Sequence, residues 1–350
     1  MNNLIDKLFE TENLSSNEFL QLLNGLDDSS ADYLHKKADE KRKTIYGDKV
    51  FMRGLIEFTN YCKNDCIYCG IRLSNKKADR YRLSEEQIME CCDIGHELGY
   101  RTFVLQGGED PYYNDERLVS LIVKIKKQYP DTALTLSIGE KPYESYKKYF
   151  DAGADRYLLR HETNSKELYD ALHPDMEYAE RIRCLLDLKK IGFQVGAGFM
   201  VGLPNQTNED YVKDLLFLKE LEPQMVGIGP FIPQHDTPLK DESQGDLETT
   251  CRLLSIIRLI LPKVLLPATT ALGSISPLGR EKGLKAGANV VMPNLSPTNV
   301  RDKYLLYDGK ICTGDEAAHC RGCIEGRINK AGFKVDMGRG DHQDITDSAL

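Results

Sequence analysis

The sequence predicts an α/β fold, a (β/α)8 TIM barrel with a helical extension before it and a cysteine-containing segment after it. Three observations predict this fold. From residue 50 onward, short apolar runs alternate with amphipathic segments, eight such runs are present, and several amphipathic segments end at a glycine just before the next run. An open doubly wound sheet alternates in the same way but usually stops at five to seven strands, so eight units favour a closed barrel.

Residues 1–48 are expected to form a helical extension. Ser15 is followed three residues later by Glu18, which is a capping-box pattern at the start of a helix. The next stretch with helical spacing ends near Gly47.

The barrel itself is expected over residues 49–307. Four helices close at a glycine that suits the left-handed C′ position, namely Gly99, Gly153, Gly192 and Gly287. The predicted strands are residues 50–58, 102–106, 133–138, 156–161, 194–201, 224–230, 263–270 and 289–293. Residues 308–350 are loop-rich and polar, and the stretch from Lys334 onward is expected to be a surface tail.

Composition bounds the functional class. The chain of 350 residues is 41% hydrophobic and 29% charged, which is typical of a globular protein. Its net charge of −8 argues against nucleic acid or an anionic membrane surface as the main partner. No apolar run approaches the roughly 18 residues needed to span a bilayer, and the acidic start carries no signal-peptide pattern. We therefore expect a cytoplasmic protein.

The ten cysteines fall into three sets. One group is Cys62, Cys66 and Cys69, at the spacing C-x3-C-x2-C, and a second group is Cys312, Cys320 and Cys323. Without an export signal, a disulfide framework is not expected. The remaining four lie in helical patterns and are expected to be buried structural thiols: Cys91, Cys92, Cys184 and Cys251.

The first cysteine group follows the first predicted strand by a few residues. In a parallel barrel that position is the catalytic mouth, where the carboxyl ends of the strands meet. Three thiolates on one short loop suit a 4Fe–4S cluster whose fourth iron is free to bind a non-protein ligand. The spacing alone also allows a zinc site completed by a distant residue, or a redox pair of cysteines.

The C-x3-C-x2-C motif, with an aromatic residue before its last cysteine and at the end of strand one of a βα barrel, resembles the radical S-adenosylmethionine (SAM) superfamily. This resemblance implies that the open iron chelates the amino and carboxylate groups of SAM. One electron from the reduced cluster would then cleave the sulfonium to a 5′-deoxyadenosyl radical. The fold would be the barrel of the radical SAM type.

The resemblance also implies a set of SAM contacts. The segment "QGGED" matches the family's GGE motif, whose backbone meets the methionyl amino group. Glu162 matches a position that contacts the ribose or amino group, and Arg181 matches an arginine that pairs with the carboxylate. The residues expected at the SAM site are Tyr68, Gln106, Gly107, Gly108, Glu109, Ser137, Glu162 and Arg181.

Further segments resemble the HydE family of FeFe-hydrogenase maturases, over about residues 40–325. They include "DRYLLRHET", "MVGIGPFIPQHDTPL" and "GANVVMPNLSP". The resemblance implies radical attack on a small anionic, sulfur-containing, cysteine-bound iron precursor, together with the other hydrogenase maturases, in assembly of the H-cluster. A biotin synthase-like or methylornithine synthase-like enzyme stays open, as does a zinc-stabilised, non-catalytic barrel that binds a metabolite.

An anionic substrate is also indicated by the residues themselves. Arg53, Arg156 and Arg160 lie on predicted strands with inward parity, and buried arginines are costly unless they meet an anion or a carboxylate. Internal pairing, such as Arg53 with Glu57, is the alternative. Two threonines follow strand seven and can donate hydrogen bonds to a carboxylate. With the positions that the HydE resemblance adds, the expected substrate contacts are Arg53, Arg156, Arg160, Thr269, Thr270, Met292 and Tyr307.

The second cysteine group reads C-x7-C-x2-C, with His319 beside Cys320. An iron–sulfur cluster with an open iron and a Cys3His zinc site both suit it. In the HydE family a similarly spaced trio can hold an auxiliary iron–sulfur cluster, which many members lack. We therefore expect a peripheral, non-essential site, and free cysteines without metal are the alternative.

Overall fold

The computed structural model describes residues 1–348, with side chains to residue 345. Three helices precede the barrel: α1 (Asn2–Thr11), α2 (Ser16–Gly25) and α3 (Asp28–Tyr46). The capping box at α2 is confirmed, because Ser15 Oγ accepts a hydrogen bond from the Glu18 N–H and Glu18 Oε2 accepts one from the Ser15 N–H. Helix α3 ends at Gly47, as expected, and packs on a helix of the barrel exterior.

Within residues 1–348, a closed ring with eight parallel strand positions follows. The first position holds β1 (Lys49–Met52) and β2 (Gly54–Thr59), and the next four hold β3 (Thr102–Gly107), β4 (Ala133–Ser137), β5 (Arg156–Leu158) and β6 (Gln194–Ala197). After β7 (Met200–Val201), the sixth position holds β8 (Met225–Val226), and β9 (Gly229–Pro230) pairs with β7. Single bridges at Leu265 and Pro267 make the seventh position, and β10 (Val290–Val291) pairs with β1 to close the ring. The predicted barrel is confirmed.

Helices surround this ring. In chain order they are α4 (Glu85–Glu97), α5 (Asp115–Gln128), α6 (Tyr143–Asp151), α7 (Lys166–Leu172), α8 (Tyr178–Ile191), α9 (Asn208–Leu221), α10 (Leu247–Ile260), α11 (Thr270–Ile275), α12 (Gly279–Lys285), α13 (Thr298–Arg301), α14 (Ala317–Lys330) and α15 (Gln343–Ser348). Among residues 1–348, none of the helices is both long and apolar enough to cross a membrane.

The glycines that end four of the amphipathic segments have the backbone that was expected of them. Gly99, Gly153, Gly192 and Gly287 have φ angles of 92°, 110°, 108° and 105°. This left-handed region is costly for a residue with a Cβ, so glycine stops each helix and returns the chain to the next strand.

Two predicted strands are interrupted rather than continuous. The run 194–201 breaks at Gly198, whose φ is 147° and where an added Cβ would lie 2.0 Å from the Gly227 carbonyl oxygen. The run 224–230 breaks opposite it, so that β7 and β9 form a separate pair beyond β6 and β8. Close approach of two backbones at a pair of glycines therefore interrupts both runs at the same place.

The expectation of a surface tail from Lys334 onward is wrong. Strand β11 (Lys334–Asp336) pairs in parallel with β1, and Gly340 packs against the ring of Phe51. Asp341 forms an ion pair of 2.7 Å with the fully buried Arg156. These residues cover the end of the barrel opposite the catalytic mouth. They supply backbone hydrogen bonds to β1 and a carboxylate for the buried guanidinium of Arg156.

Candidate active site

The first cysteine group lies on a loop that is tied down on both sides. Leu73 N–H donates to the Asn64 carbonyl at 2.9 Å, and Gly70 N–H donates to the Leu306 carbonyl at 3.0 Å. Arg72 forms an ion pair with Asp65 within the same loop. Cys62, Cys66 and Cys69 are all half-buried free thiols. The loop is thus ordered by the protein itself and presents three sulfur donors at the mouth of the barrel.

Burial dominates the protonation of these thiols. It raises the pKa of Cys62 and Cys69, the latter to about 12, and with the neighbouring thiols it raises the pKa of Cys66 well above its ordinary value. The thiols are therefore protonated at neutral pH until a metal centre displaces the protons. Three closely placed soft donors of this kind fit iron in a cluster.

Among the side chains that the structure describes, which extend to residue 345, no three His, Cys, Asp or Glu groups lie close enough together to hold one metal ion. A 4Fe–4S cluster would be held by the thiolates of Cys62, Cys66 and Cys69, which would leave one iron open to a non-protein ligand.

The GGE segment lies directly against the cysteine loop. A Cβ added at Gly108 would lie 2.2 Å from the Tyr61 carbonyl oxygen and 2.8 Å from Cys62 Cβ, so only glycine fits there. Glu109 N–H donates to Cys62 Sγ at 3.4 Å. Glu109 Oε1 also accepts the Glu140 N–H at 2.9 Å. The chain after β3 is thereby fixed beside the cluster loop, where the family resemblance expects SAM.

The other expected SAM contacts lie around the same mouth. Tyr68 and Gln106 line the central cavity, and Ser137 ends β4, the strand next to Gln106. Tyr68 Oη is hydrogen-bonded to His173 Nε2 at 3.0 Å. Glu162 lines the cavity, while Arg181 forms an ion pair of 2.6 Å with Glu140 and donates to the Arg160 carbonyl. An incoming carboxylate at Arg181 would share its guanidinium with Glu140.

A cavity of about 270 Å³ fills the barrel interior below the cysteine loop. Its upper wall includes Tyr68 and Cys69, and its walls are mainly apolar, with Met200, Met225 and Met292 among them. The remaining expected substrate contacts that line it are Arg53, Arg160, Thr269, Thr270 and Tyr307. The structure thus joins the cluster loop and most of the expected substrate residues in one chamber.

Several polar atoms in the described wall of this chamber have no hydrogen-bond partner. They include Thr269 Oγ1, Arg53 Nε, Arg160 Nε and Glu162 Oε2. Arg160 Nη2 lies 2.8 Å from Glu162 Oε2, but the two groups are not aligned for a hydrogen bond. A buried polar group without a hydrogen-bond partner costs free energy, so these atoms could form hydrogen bonds with a polar or charged ligand in the chamber.

One of the three expected arginines lies outside the chamber. Arg156 does not line the chamber: it lies at the closed end and binds Asp341, the Arg339 carbonyl and Thr102. Its placement differs from the expectation of a substrate contact, because its charge is compensated within the chain. Arg53 reaches the chamber and donates to Met225 Sδ and to the Gly340 carbonyl, so the alternative pairing with Glu57 is not formed.

Sequence reasoning missed a buried ion pair in the chamber wall. Lys310 Nζ lies 2.7 and 2.8 Å from the two oxygens of Glu57, and Asn294 donates to the same carboxylate. Lys310 comes after the predicted barrel, and a charged residue in a polar loop gives no local signal of burial. The even spacing of Arg53, Leu55 and Glu57 on one strand face was the available signal for Glu57.

The second cysteine group is only partly assembled. Cys320 is buried on α14, Cys312 is half-buried, and Cys323 is exposed. Cys312 and Cys320 line a small cleft next to the chamber, together with Arg280 and Thr270. The expected auxiliary cluster at this group stays a prediction.

Comparisons with known proteins agree with this geometry. The family model described as the radical SAM superfamily matches residues 56–218. The [FeFe] hydrogenase maturase subunit HydE of Thermotoga maritima is 49% identical over 301 residues, 86% of each chain. The 3-methylornithine synthase of Methanosarcina acetivorans is 31% identical over 305 residues, covering 87% of this chain and 86% of that one.

The solved structures show the same barrel. The crystal structure of methylornithine synthase (PylB) superposes with a TM-score of 0.84 at 29% identity, over 99% of this chain and 100% of that chain. The motif at the cysteine loop, the barrel and the extent of the similarity agree. The chain belongs to the radical SAM superfamily of enzymes and is a homologue of the hydrogenase maturase subunit HydE.

Proposed function

We propose that this chain is a HydE-type hydrogenase maturase. In this proposal Cys62, Cys66 and Cys69 would hold a 4Fe–4S cluster, which with bound SAM would supply reductive formation of a 5′-deoxyadenosyl radical. The substrate would be a small anionic, sulfur-containing iron precursor in H-cluster assembly. One observation carries the proposal: a single chamber extends from the cysteine loop to buried polar groups that have no partner in the described chain.

The cluster and SAM together would supply one-electron cleavage of a sulfonium carbon–sulfur bond. The chain's own residues would bind and orient SAM. The cradle at Gly108 brings backbone close to the cluster loop, Glu162 offers a carboxylate that lies 2.8 Å from the Arg160 guanidinium, and Arg181 offers a guanidinium fork. The family implies the cluster and SAM, whereas these individual contacts are our proposal.

The chamber walls suit a reactive radical. Thioether and aliphatic side chains line most of it, and the segment at Leu306 and Tyr307 covers its side. Such a wall excludes water and limits side reactions of a reactive intermediate. Arg160, Thr269 and Thr270 would bind the anionic part of the substrate, with Met292 and Tyr307 packing beside it.

The remaining parts of the proposal concern partners. The T. maritima relative is a hydrogenase maturase subunit, and we propose that this chain works with the other hydrogenase maturases as well. The three-part organisation, with an extension at 1–48, the barrel at 49–307 and the segment 308–350, would leave the second cysteine group as an auxiliary site beside the chamber.

The direct test is hydrogenase maturation. The anaerobically reconstituted protein is combined with SAM, a reductant, the other two maturases and an apo-hydrogenase, and hydrogen evolution is measured. Activation that depends on this chain is expected. Absence of activation, with formation of 3-methylornithine by the same preparation, would instead assign the activity of the second relative. The family membership already favours these enzymes over a zinc-stabilised, non-catalytic barrel.

A further inference from the structure

A buried histidine–aspartate pair lies beside the expected SAM site. His161 and Asp214 are both fully buried, and His161 Nε2 lies 3.1 Å from Asp214 Oδ1. His161 follows β5, whereas Asp214 lies on helix α9, which is remote in sequence. Burying two polar side chains costs free energy unless they are hydrogen-bonded, so the hydrogen bonds of this pair indicate what it holds in place.

The hydrogen bonds fix which ring nitrogen carries the proton. Gly198 N–H donates to His161 Nδ1 at 3.3 Å, so Nδ1 is the acceptor and Nε2 donates to Asp214. Asp214 Oδ1 also accepts the Asn164 N–H at 2.5 Å. Burial lowers the pKa of His161 to about 3, which agrees with a neutral ring. Through Asp214, helix α9 is thus hydrogen-bonded to His161 and to Asn164, which lie on either side of Glu162 in the chain.

Glu162 has a backbone conformation that is unusual for a residue with a side chain. Its φ is +65°, a left-handed conformation that is uncommon for a non-glycine residue and costs free energy unless the surroundings hold it. Glu162 N–H donates to the Gly198 carbonyl at 3.0 Å, and the Glu162 carbonyl accepts the Met200 N–H at 3.0 Å. Gly198 therefore contacts both His161 and Glu162, so a shift of the imidazole would be passed to the glutamate.

We infer that Asp214 is a positioning residue for SAM binding: through His161 it holds Glu162 in the strained backbone that points its carboxylate into the chamber. This inference deepens the proposed function and rests on it, because the ligand of Glu162 is taken to be SAM. Asp214 itself does not line the chamber and so acts through Glu162.

A thermodynamic cycle tests this inference. The dissociation constant of SAM is measured by anaerobic calorimetry on reconstituted wild type, Asp214→Ala, Glu162→Gln and the double variant. Asp214→Ala should weaken SAM binding by about tenfold, equivalent to about 1.4 kcal/mol. In the Glu162→Gln background the same change should have almost no further effect, because the positioned group is already altered. Asp214→Asn keeps an acceptor and should bind SAM nearly as well as wild type.

Two further variants separate positioning from a loss of fold. His161→Phe keeps an aromatic ring against Phe217 but removes both hydrogen bonds, so it should reproduce the effect of Asp214→Ala and replaces it if that variant fails to load iron. Asp210→Ala removes the capping box of α9 and is the matched control, which should lower the melting temperature but leave SAM affinity unchanged.

Each outcome bears on the inference. Equal weakening by Asp214→Ala in the wild-type and Glu162→Gln backgrounds would overturn it, because the aspartate would then act independently of Glu162. A matching loss in Asp210→Ala would overturn it as well, by showing a general effect of α9. If Asp214→Ala binds SAM normally while Glu162→Gln does not, the inference about Asp214 is wrong but the proposed function is unaffected. If wild type binds no SAM, the proposed function falls with it.

Discussion

Lys310 and Glu57 form a buried ion pair that joins the segment after the barrel to the first barrel strand. Their side chains are 8% and 3% exposed, and Lys310 Nζ approaches both carboxylate oxygens. Lys310 also donates to the Tyr304 carbonyl at 3.0 Å. The pair therefore anchors the wall segment around Leu306 and Tyr307 from inside the chamber.

Removing one partner of this pair should be more harmful than removing both charges. Lys310→Met leaves the Glu57 carboxylate buried with Asn294 alone, which should destabilise the protein by on the order of 3 kcal/mol. The double variant Glu57→Gln/Lys310→Met should recover a large part of that loss. Urea unfolding of the three proteins checks this. Equal stability of the single variant and the wild type would show that the pair does not anchor the segment.

The ion pair of Asp341 with Arg156 should make stability depend on pH. Burial alone would raise the pKa of Asp341, but the charge of Arg156 and hydrogen bonds from Arg339 and Gln194 outweigh it, and hold this pKa well below its ordinary value. A lowered native pKa means that the stabilisation is present above about pH 4, the ordinary aspartate value, and is lost as the pH falls through the native pKa.

The variant Asp341→Asn should therefore lose about 2 kcal/mol of stability at pH 7, the range of a charge-assisted hydrogen bond. The deficit against wild type should shrink progressively as the pH falls below about 4. Denaturant unfolding at several pH values measures it, with the exposed Asp241→Asn as control. A deficit that does not change with pH would contradict an ionic role for Asp341.

Arg160 and Arg181 should separate substrate binding from SAM binding. Arg160 lines the chamber beside Glu162, whereas Arg181 lies behind it against Glu140. Arg160→Leu should weaken substrate affinity by roughly tenfold to a hundredfold, since each 1.4 kcal/mol of lost charge-assisted bonding is a factor of ten. SAM affinity should fall mainly in Arg181→Leu. Titration of both ligands into both variants tests this, and comparable loss of SAM binding in the two would contradict the division.

The second cysteine group should be dispensable for SAM cleavage. Replacing Cys312, Cys320 and Cys323 together with alanine should lower the iron content of the reconstituted protein and preserve both 5′-deoxyadenosine formation and maturation. Because Cys320 is buried, the triple variant should also be somewhat less stable, so folding is checked by its melting temperature. A folded triple variant that cannot support maturation would show that the group has an essential role.

Local patterns predicted the barrel well because each strand and helix carries its own signal. The glycine stops at Gly99 and Gly287 and the capping box at Ser15 depend on a few neighbouring residues, and the cysteine loop is a continuous motif. The break at Gly198 could not be predicted, because it depends on the backbone of Gly227 on a neighbouring strand.

For two buried charges, Arg156 and Glu57, the sequence did not indicate the internal partner, and the reason is the same. Arg156 and Arg53 both have inward parity on their strands, but the partner of Arg156 is Asp341, which lies 185 residues away in the sequence. Glu57 and its partner Lys310 are likewise far apart, at 253 residues in the sequence. Which buried charge meets an internal partner and which meets a ligand depends on how the C-terminal segment folds against the barrel, and strand periodicity does not contain that information.

The central claim is that Cys62, Cys66 and Cys69 hold the cluster that cleaves SAM. The most direct measurement is 5′-deoxyadenosine formation by anaerobically reconstituted protein with SAM and dithionite, for wild type and Cys66→Ser. The account predicts 5′-deoxyadenosine from the wild type and none above background from Cys66→Ser, because each thiolate is needed to leave one iron open to SAM. Normal 5′-deoxyadenosine formation by Cys66→Ser would contradict the assignment of the site.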